Sequence, residues 1–311
     1  MNILVTGAKG QLGCCLKDLV DAAGNGHPDH DSSEDNYYIF TDYEELDITN
    51  EEAVKKFVRD NFINVIVNCA AYTNVEKAQT DRDTAYNVNA IGPLNLAEAA
   101  AEVGAVLIHI STDYVFKGLR NTPVPPISVR EDVYKYPDAD ETCYYGYTKN
   151  VGEGLIQHVD NCKYIIIRTA WLYSEYGKNF VKTMMERAKE DKNSKVVYDQ
   201  TGSPTYAPDL ADLIYHIIEN NSHETRYLSK TGVYNFADKG VATWYDIARS
   251  VFVYFNSNGL VTPCRSSEYP SDVVRPAYSV LDTEKTVQAF DYAIPYWHDS
   301  LIQCLDNLSE Q

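Results

Sequence analysis

The sequence NILVTGAKGQLG, residues 2–13, decides the fold of this chain. A short apolar run leads directly into Gly7, Gly10 and Gly13, and a helical apolar pattern follows. In this order of strand, turn and helix, the first glycine permits a tight turn and the second lets a pyrophosphate approach the backbone. The third lets the helix pack on the strand, and the helix N-terminus offers N–H groups to the phosphates. The stretch therefore predicts dinucleotide binding, which we favour over a purely structural turn.

Outward from this stretch, apolar runs typical of buried strands alternate with helical patterns as far as residue 170. The runs lie at residues 37–40, 63–69, 105–110 and 163–168. This alternation predicts an α/β fold with a Rossmann-like, doubly wound parallel sheet. The pattern loosens afterwards, so we expect a dinucleotide-binding domain at 1–170 and a smaller C-terminal α+β domain over most of 171–311. Segments near 207–220 and 232–255 are expected to pack back on the first domain.

Size, charge and cysteine content restrict the function further. The chain has 311 residues, enough for two domains, and its net charge of −18 argues against binding to nucleic acid or to an anionic membrane surface. No apolar run approaches the ~18–20 residues of a membrane span, and we expect no signal peptide. The seven cysteines are scattered without a Cys-x-x-Cys pair. They predict reduced thiols and a cytoplasmic protein.

The stretch Tyr145-Gly146-Tyr147-Thr148-Lys149 carries the expected chemistry. In a helix, Tyr145 and Lys149 share a face. A neighbouring cation favours the phenolate, so it lowers the pKa of a tyrosine and makes it a better proton donor. Because the chain contains 25 tyrosines, such a pair also arises by chance and is a weak motif alone.

Other candidate residues follow the predicted strands, where open α/β sheets place their ligands. Asp42 follows the second strand and indicates NAD rather than NADP, although a solvated loop aspartate explains it about as well. The small residues of 70–73 follow the third strand and would let a cofactor lie against the backbone. Thr112 follows the fourth, and Trp171 follows the fifth as a pocket residue or ordinary core. We expect His109, inside the fourth strand, to be a buried core histidine.

Together these motifs resemble the extended short-chain dehydrogenase/reductase superfamily and, within it, the dTDP-4-dehydrorhamnose reductase family. The resemblance runs along nearly the whole chain. Its blocks include VTGAKGQLG (5–13), NCAAYTNVEKA (68–78), STDYVFKG (111–118), YGYTKNVGE (145–153), RTAWLY (168–173) and DQTGSPTY (199–206). The chain departs from the family in its loops at 24–36 and 117–142. The first is longer than usual, the second carries a tyrosine- and acid-rich run, and the sequence assigns neither a role.

The resemblance implies specific residue roles. Tyr145 would donate a proton to the C4 oxygen of a keto-sugar as hydride arrives from the nicotinamide, Lys149 would lower the pKa of the tyrosine and bind the ribose, and Thr112 would bond the same carbonyl. Together with the glycine turn, it predicts cofactor contacts at Gly7, Gly10, Gln11, Leu12, Gly13, Asp42, Asp47, Ile48, Ala70, Ala71, Tyr72, Thr73, Tyr145 and Lys149. It predicts contacts with a sugar nucleotide, bound mainly by residues 171–311, at Thr112, Asp113, Trp171 and Asn179.

The expected activity is reduction of the C4 ketone of dTDP-4-dehydro-L-rhamnose to dTDP-L-rhamnose with NADPH or NADH. The resemblance also allows a homodimer. Some relatives bind Mg²⁺ at a dimer contact, but no metal ligand can be assigned from this sequence. One alternative is a nucleotide-sugar epimerase or dehydratase with tightly bound NAD, which is less favoured because Thr112 is followed by Asp113-Tyr114 rather than by an Asp-Glu pair. The other is a non-catalytic, NADP-binding regulatory subunit of the methionine adenosyltransferase type.

Overall fold

The structure is a computed structural model that describes residues 1–24, 36–116, 143–222, 224–269, 273 and 275–310. The two loops expected at 24–36 and 117–142 lie, except for residues 24 and 36, outside the described residues.

The strands and helices follow the predicted order closely. The strands are β1 (Asn2–Thr6), β2 (Tyr37–Thr41), β3 (Val65–Asn68), β4 (Val106–Thr112), β5 (Lys163–Thr169), β6 (Leu172–Tyr173), β7 (Ser194–Val197), β8 (Thr201–Gly202), β9 (Thr205–Tyr206), β10 (Gly232–Asn235), β11 (Ala242–Thr243), β12 (Val261–Cys264) and β13 (Tyr278–Ser279). The α-helices are α1 (Gln11–Ala22), α2 (Glu51–Asp60), α3 (Arg82–Tyr86), α4 (Gly92–Val103), α5 (Tyr144–His158), α6 (Phe180–Lys189), α7 (Ala207–Glu219), α8 (Trp244–Tyr254), α9 (Glu284–Phe290) and α10 (Trp297–Glu310).

A six-stranded parallel sheet forms the centre, in the order β10-β5-β4-β3-β1-β2. Its inner strands are apolar because both faces are covered, as is usual for parallel sheets. On one face α1 and α7 pack together over the strands, and on the other α2, α4 and α5 pack over them. This arrangement confirms the predicted doubly wound α/β fold.

A second core lies apart from the sheet. It joins α6, α8 and α10 through buried side chains such as Met184, Phe252 and Leu301. The strands nearby are short, and several contain only two residues. The segment 232–255 therefore divides. Its strand β10 joins the main sheet, but α8 differs from the expectation because its apolar face, with Val251 and Phe252, packs in the second core.

Two glycines bring α5 close to its neighbours. A Cβ atom at Gly146 would lie 2.4 Å from the carbonyl oxygen of Tyr114, and one at Gly152 would lie 2.2 Å from that of Asn89. The N-terminus of α5 has no side-chain cap from Cys143, but Gln79 accepts a hydrogen bond from the N–H of Tyr144 at 2.7 Å. These contacts fix the height and rotation of α5 at the end of β4. None of the helices in the described part of the chain is long and apolar enough to cross a membrane.

Candidate active site

A cleft of about 910 Å³ opens at the carboxyl ends of the parallel strands. One side, here the sheet wall, is formed by the glycine turn after β1, the ends of β3 and β4, and α5. Another part of the lining, here the aromatic wall, consists of Trp171, Phe180 and Trp244. Because the carboxyl ends of adjacent parallel strands meet at one edge of the sheet, most of the predicted site residues lie in this cleft.

The glycine turn of the sheet wall leaves no room for side chains. Gly7 has a φ of 68°, and a Cβ atom there would lie 2.6 Å from the backbone nitrogen of Ala70. At Gly13 the Cβ would lie 2.3 Å from the carbonyl oxygen of Gly7. Gly10 is the N-cap of α1 and provides no side-chain cap, so the first N–H groups of the helix face the cleft. This bare helix N-terminus beside close-packed backbone fits a dinucleotide pyrophosphate.

Asp42 stabilises the glycine turn. Its carboxylate accepts hydrogen bonds from the backbone N–H groups of Lys9 and Tyr43, both at 2.8 Å. The Lys9 side chain lies beside Glu44, with 2.9 Å between Nζ and Oε2. Asp42 is therefore more than a solvated loop residue, and it lines the cleft, as Asp47 does.

The Tyr145 phenol is buried in the sheet wall, with 8% of the residue exposed. Burial raises the pKa of Tyr145 above its usual value, and a hydrogen bond with Thr112 opposes that rise. The pKa of Tyr145 is therefore not lowered as expected, and the Lys149 Nζ donates its hydrogen bond to the carbonyl oxygen of Ile110 instead of the phenol. Tyr145 is therefore a phenol, and a proton donor, throughout the neutral range.

Lys149 is buried, and its Nζ donates a hydrogen bond to the carbonyl oxygen of Ile110 at 2.6 Å. The same Nζ lies 3.4 Å from Nε2 of His109. Burial lowers the pKa of Lys149 to about 8, and the charge of Glu153 opposes that effect. A lysine with this pKa exchanges its proton near neutral pH.

His109 is fully buried, as expected, yet it belongs to a polar chain that contacts Lys149. Its Nδ1 lies 2.9 Å from the side-chain nitrogen of Asn68. Burial lowers the pKa of His109 well below its usual range, so the ring is neutral. The apolar pattern of the strand around His109 does not indicate its contact with Lys149.

Thr112 ends β4, Asp113 follows it, and both line the cleft. The Thr112 hydroxyl donates to Oδ1 of Asp113 at 3.0 Å. Among the described residues, Oδ2 of Asp113 makes no hydrogen bond of ordinary geometry although it is buried. Burial raises the pKa of Asp113 to about 6, while the Ser279 and Thr112 hydroxyls oppose the rise. An unpaired buried carboxylate oxygen beside a hydroxyl suits a ligand with a hydroxyl donor.

The aromatic wall is held by stacking. The rings of Trp171 and Trp244 stack with centroids 4.0 Å apart, and Phe180 meets Trp244 edge to face at 4.9 Å. Trp171 has a φ of 49°, a strained conformation for a bulky residue. Gly202 leaves the space that the Trp171 ring fills, because a Cβ there would lie 2.7 Å from it. This wall adds a stacked aromatic surface to the cleft that Tyr145 also lines.

Asn179 joins the two walls rather than pointing freely into the cleft. Its Oδ1 caps α6 by accepting from the N–H of Lys182, and its Nδ2 donates to Oε1 of Gln11 at 2.9 Å. The Ser174 hydroxyl donates to the same Gln11 oxygen at 3.1 Å. The predicted substrate residue thus lines the cleft and also holds the glycine turn to the second core.

The cleft lining includes all predicted site residues except Gly13 and Tyr72. Gly13 serves the close packing of α1, and the Tyr72 side chain turns away to donate to Asp81 at 3.0 Å. Sequence reasoning missed Phe180, Trp244 and Arg275. For Trp244 the sequence offers one signal, which is that tryptophan occurs only three times in the chain. In the structure, Trp244 stacks on Trp171.

A second pocket of about 1040 Å³ continues from the aromatic wall, sharing Phe180, Trp244 and Arg275 with the cleft. Lys195 and Gln200 also line it. The Arg275 guanidinium bonds Oε1 of Glu76 at 2.9 Å. Within the described ranges, no group of three or more His, Cys, Asp or Glu residues is arranged to hold a metal ion.

The chain is similar to a known protein family along nearly its whole length. The family described as the RmlD substrate binding domain matches residues 1–310. A dTDP-4-dehydrorhamnose reductase of Aggregatibacter actinomycetemcomitans is 38% identical over 311 aligned residues, covering 96% of this chain and 97% of the relative.

Two solved structures are similar over the whole chain. One is a dTDP-4-dehydrorhamnose reductase from Clostridium acetobutylicum, 38% identical, with a TM-score of 0.85 and coverage of 99% of this chain and 100% of the other. The second, from Bacillus anthracis, is a dTDP-4-dehydrorhamnose reductase in complex with NADP. It is 35% identical, with a TM-score of 0.83 and coverage of 98% and 99%.

Proposed function

The chain belongs to the RmlD substrate binding domain family, that of the dTDP-4-dehydrorhamnose reductases, and from this premise we propose that it is an NAD(P)H-dependent oxidoreductase that reduces the C4 ketone of dTDP-4-dehydro-L-rhamnose to give dTDP-L-rhamnose. One observation carries the proposal: Thr112, Tyr145 and Lys149 meet in one cleft that also contains the glycine turn. A purely structural or regulatory dinucleotide site has no need of this proton-donating group.

The cofactor part rests on the glycine turn and the bare N-terminus of α1. Backbone N–H groups after Gly10 would hold the pyrophosphate, and the close approach at Gly7 and Gly13 keeps this backbone in place. Asp42 and Asp47 would lie along the adenosine, and Lys149 along the nicotinamide ribose. When bound, the nicotinamide supplies the hydride.

The protein supplies the proton and the polarisation. Tyr145 would donate its phenolic proton to the C4 oxygen as negative charge develops there, and Thr112 would hydrogen-bond the same oxygen. The unpaired Oδ2 of Asp113 would accept from a sugar hydroxyl and so orient the ring. With Asp113 at a pKa of about 6, this acceptor loses its charge below neutral pH, and substrate binding should weaken there.

The nucleotide of the substrate would extend into the second pocket. The sugar ring would lie between Tyr145 and the stacked tryptophans, while Arg275 and Lys195 offer positive charge for the diphosphate. In this arrangement residues 1–170 mainly bind the cofactor and residues 171–311 mainly bind the sugar nucleotide.

The direct test is to incubate the protein with dTDP-4-dehydro-L-rhamnose and NADPH or NADH, follow the loss of absorbance of the reduced cofactor, and identify the product by NMR. We expect one product, in which the C4 ketone has been reduced to an alcohol, and one equivalent of cofactor oxidised for each product formed. Product formation without net cofactor oxidation would instead identify an epimerase or dehydratase. Comparing kcat/KM for the two cofactors tests whether Asp42 favours NADH.

A cytoplasmic location, a homodimeric state and the absence of nucleic-acid binding belong to the same proposal. All seven cysteines are free thiols, which suits a reducing compartment. Light scattering of the purified protein measures the oligomeric state, and a mass of one subunit would contradict the dimer.

A further inference from the structure

A chain of four buried polar side chains runs beneath the cleft, from β1 across β3 and β4 to α5. The Thr6 hydroxyl donates to Oδ1 of Asn68 at 2.8 Å. The Asn68 Nδ2 lies 2.9 Å from Nδ1 of His109, and His109 Nε2 lies 3.4 Å from Nζ of Lys149. All four residues are at most 2% exposed.

The direction of this chain is fixed by one backbone group. The N–H of Ala70 can only donate, and it lies 3.1 Å from Oδ1 of Asn68. The amide oxygen of Asn68 must therefore face Ala70, and its NH₂ must face His109. Nδ1 of His109 then accepts a hydrogen bond and carries no proton. Since the buried ring is neutral, its single proton is on Nε2, which is the nitrogen that faces Lys149.

This tautomer favours one state of the lysine. An uncharged amine has a lone pair that accepts the Nε2–H of His109, whereas an ammonium presents only N–H groups to it. We propose that His109 is a positioning residue whose Nε2–H favours the uncharged form of Lys149 and so makes the Lys149 ammonium a ready proton donor. The consequence for turnover rests on the proposed reductase function, but the tautomer and the lysine titration do not.

Other charged groups around Lys149 come from each neighbouring element. Glu153, on the same helix, favours the ammonium, but its carboxylate is bound at 2.8 and 2.6 Å by Arg168 from β5. Cys69, from the end of β3, is a thiol at neutral pH because burial raises its pKa to about 12. Among the described residues, the carboxylate that favours the ammonium is thus already paired with Arg168, and His109 is a neutral donor beside the amine.

The role follows from the fate of the proton. After Tyr145 gives its proton to the sugar oxygen, a phenolate remains and must be reprotonated. The Lys149 ammonium, which lines the same cleft, would release a proton toward that phenolate, and the amine left behind would accept the Nε2–H of His109. Solvent then restores the ammonium. A lysine with an ordinary pKa near ~10.4 would donate its proton less readily at pH 7.

The tautomer is tested by NMR of the whole protein with ¹⁵N-labelled histidine, in which the His109→Asn spectrum identifies the His109 signals. We expect His109 to be neutral with its proton on Nε2, and not to titrate between pH 6 and 9. A proton on Nδ1, or titration near ~6.5 as in free histidine, overturns the proposal whether or not the protein reduces the keto-sugar.

The effect on Lys149 is tested by titrating its side-chain signals in ¹³C,¹⁵N-lysine-labelled protein, identified with Lys149→Arg. In His109→Asn, the asparagine oxygen keeps the bond to Asn68, but no N–H reaches Lys149. We expect the midpoint to rise from about 8 by about one pH unit. The upper limb of the kcat profile should rise with it if Lys149 supplies the proton. An unchanged midpoint overturns the proposal.

Asn68→Asp provides a variant of equal volume, which excludes a simple gain of water in place of the imidazole. Its second oxygen accepts from His109 Nδ1, so the ring proton should move to Nδ1 and the Nε2 lone pair should face Lys149. The lysine midpoint should again rise, and the NMR tautomer should invert. A raised midpoint with the Nε2–H tautomer retained would mean that the added charge of the aspartate acts alone, and this would contradict our proposal.

His216→Asn is the matched control, because His216 binds the Phe290 carbonyl away from the cleft. This variant should leave the titration midpoint of Lys149 unchanged.

Discussion

The two walls of the cleft are built in different ways. The sheet wall consists of α5 and of residues that directly follow buried parallel strands, and its geometry is set by the register of the sheet and by glycines that exclude side chains. The aromatic wall is assembled from Trp171, Phe180 and Trp244, which come from three separate segments outside the six-stranded sheet. The first wall is positioned by the backbone, and the second by side-chain packing.

This difference indicates how the work is divided. Groups that transfer a proton must be held to within a fraction of an ångström, and a parallel sheet provides that rigidity. Recognition of a sugar nucleotide tolerates more variation, because stacking and a few polar contacts suffice. We therefore expect changes in the sheet wall to affect turnover or cofactor binding, and changes in the aromatic wall to affect the KM for the keto-sugar.

The largest effect should come from Tyr145→Phe in the sheet wall. The variant keeps the ring and its edge-to-face contact with Tyr114 at 5.5 Å but removes the proton donor. We expect kcat to fall about 10²-fold or more, with the affinity for NADPH nearly unchanged, as measured by steady-state kinetics and fluorescence titration.

Tyr147→Phe is the matched control, two residues away on the same helix and outside the cleft lining. It should retain full turnover. Full turnover by Tyr145→Phe itself would show that the proton comes from another group and would remove the basis of the comparison.

The unequal construction also explains what the sequence could and could not predict. The glycine turn, Thr112, Tyr145 and Lys149 are encoded in short continuous motifs, so their meeting in one cleft follows from strand order alone. Trp244 reaches the cleft only through the packing of α8 in the second core, which no local pattern reveals. The sequence predicts His109 only as a core residue, because a histidine in an apolar strand gives the same pattern whether it is merely buried or also contacts Lys149.

A smaller effect is expected from Gly13→Ala, which perturbs the sheet wall without touching a reacting group. The new Cβ would lie 2.3 Å from the Gly7 carbonyl oxygen, so α1 or the glycine turn must shift. We expect the Kd for NADPH to rise about 10-fold, since a misplaced helix N-terminus binds phosphate less well. Gly154→Ala, where nothing lies within 4 Å of the new Cβ, is the control and should bind normally. Equal affinity in both variants would contradict the role of the turn.

Trp244→Ala tests the aromatic wall. Removing the ring that stacks on Trp171 at 4.0 Å should raise the KM for the keto-sugar by about 2- to 10-fold, because such stacking is worth roughly 0.5–1.5 kcal/mol. The Kd for NADPH should stay unchanged. Trp244→Phe keeps an aromatic partner for Trp171, so its KM for the keto-sugar should lie between those of Trp244→Ala and the wild type. A loss of cofactor affinity equal to the change in KM would show that the two walls are not independent.

The smallest effect, and the one that tests the separation itself, is expected from Gln11→Ala. Gln11 stands in the glycine turn, yet its Oε1 accepts from Ser174 and Asn179 and so joins the sheet wall to the second core. Loss of these hydrogen bonds, worth about 1 kcal/mol each, should weaken NADPH binding and raise the KM for the keto-sugar together, each a few-fold. Lys17→Ala, exposed on the same helix, should change neither value. If Gln11→Ala altered only the Kd for the cofactor, the hydrogen bond between Asn179 and Gln11 would not couple the two binding sites. Each wall would then bind its ligand independently of the other.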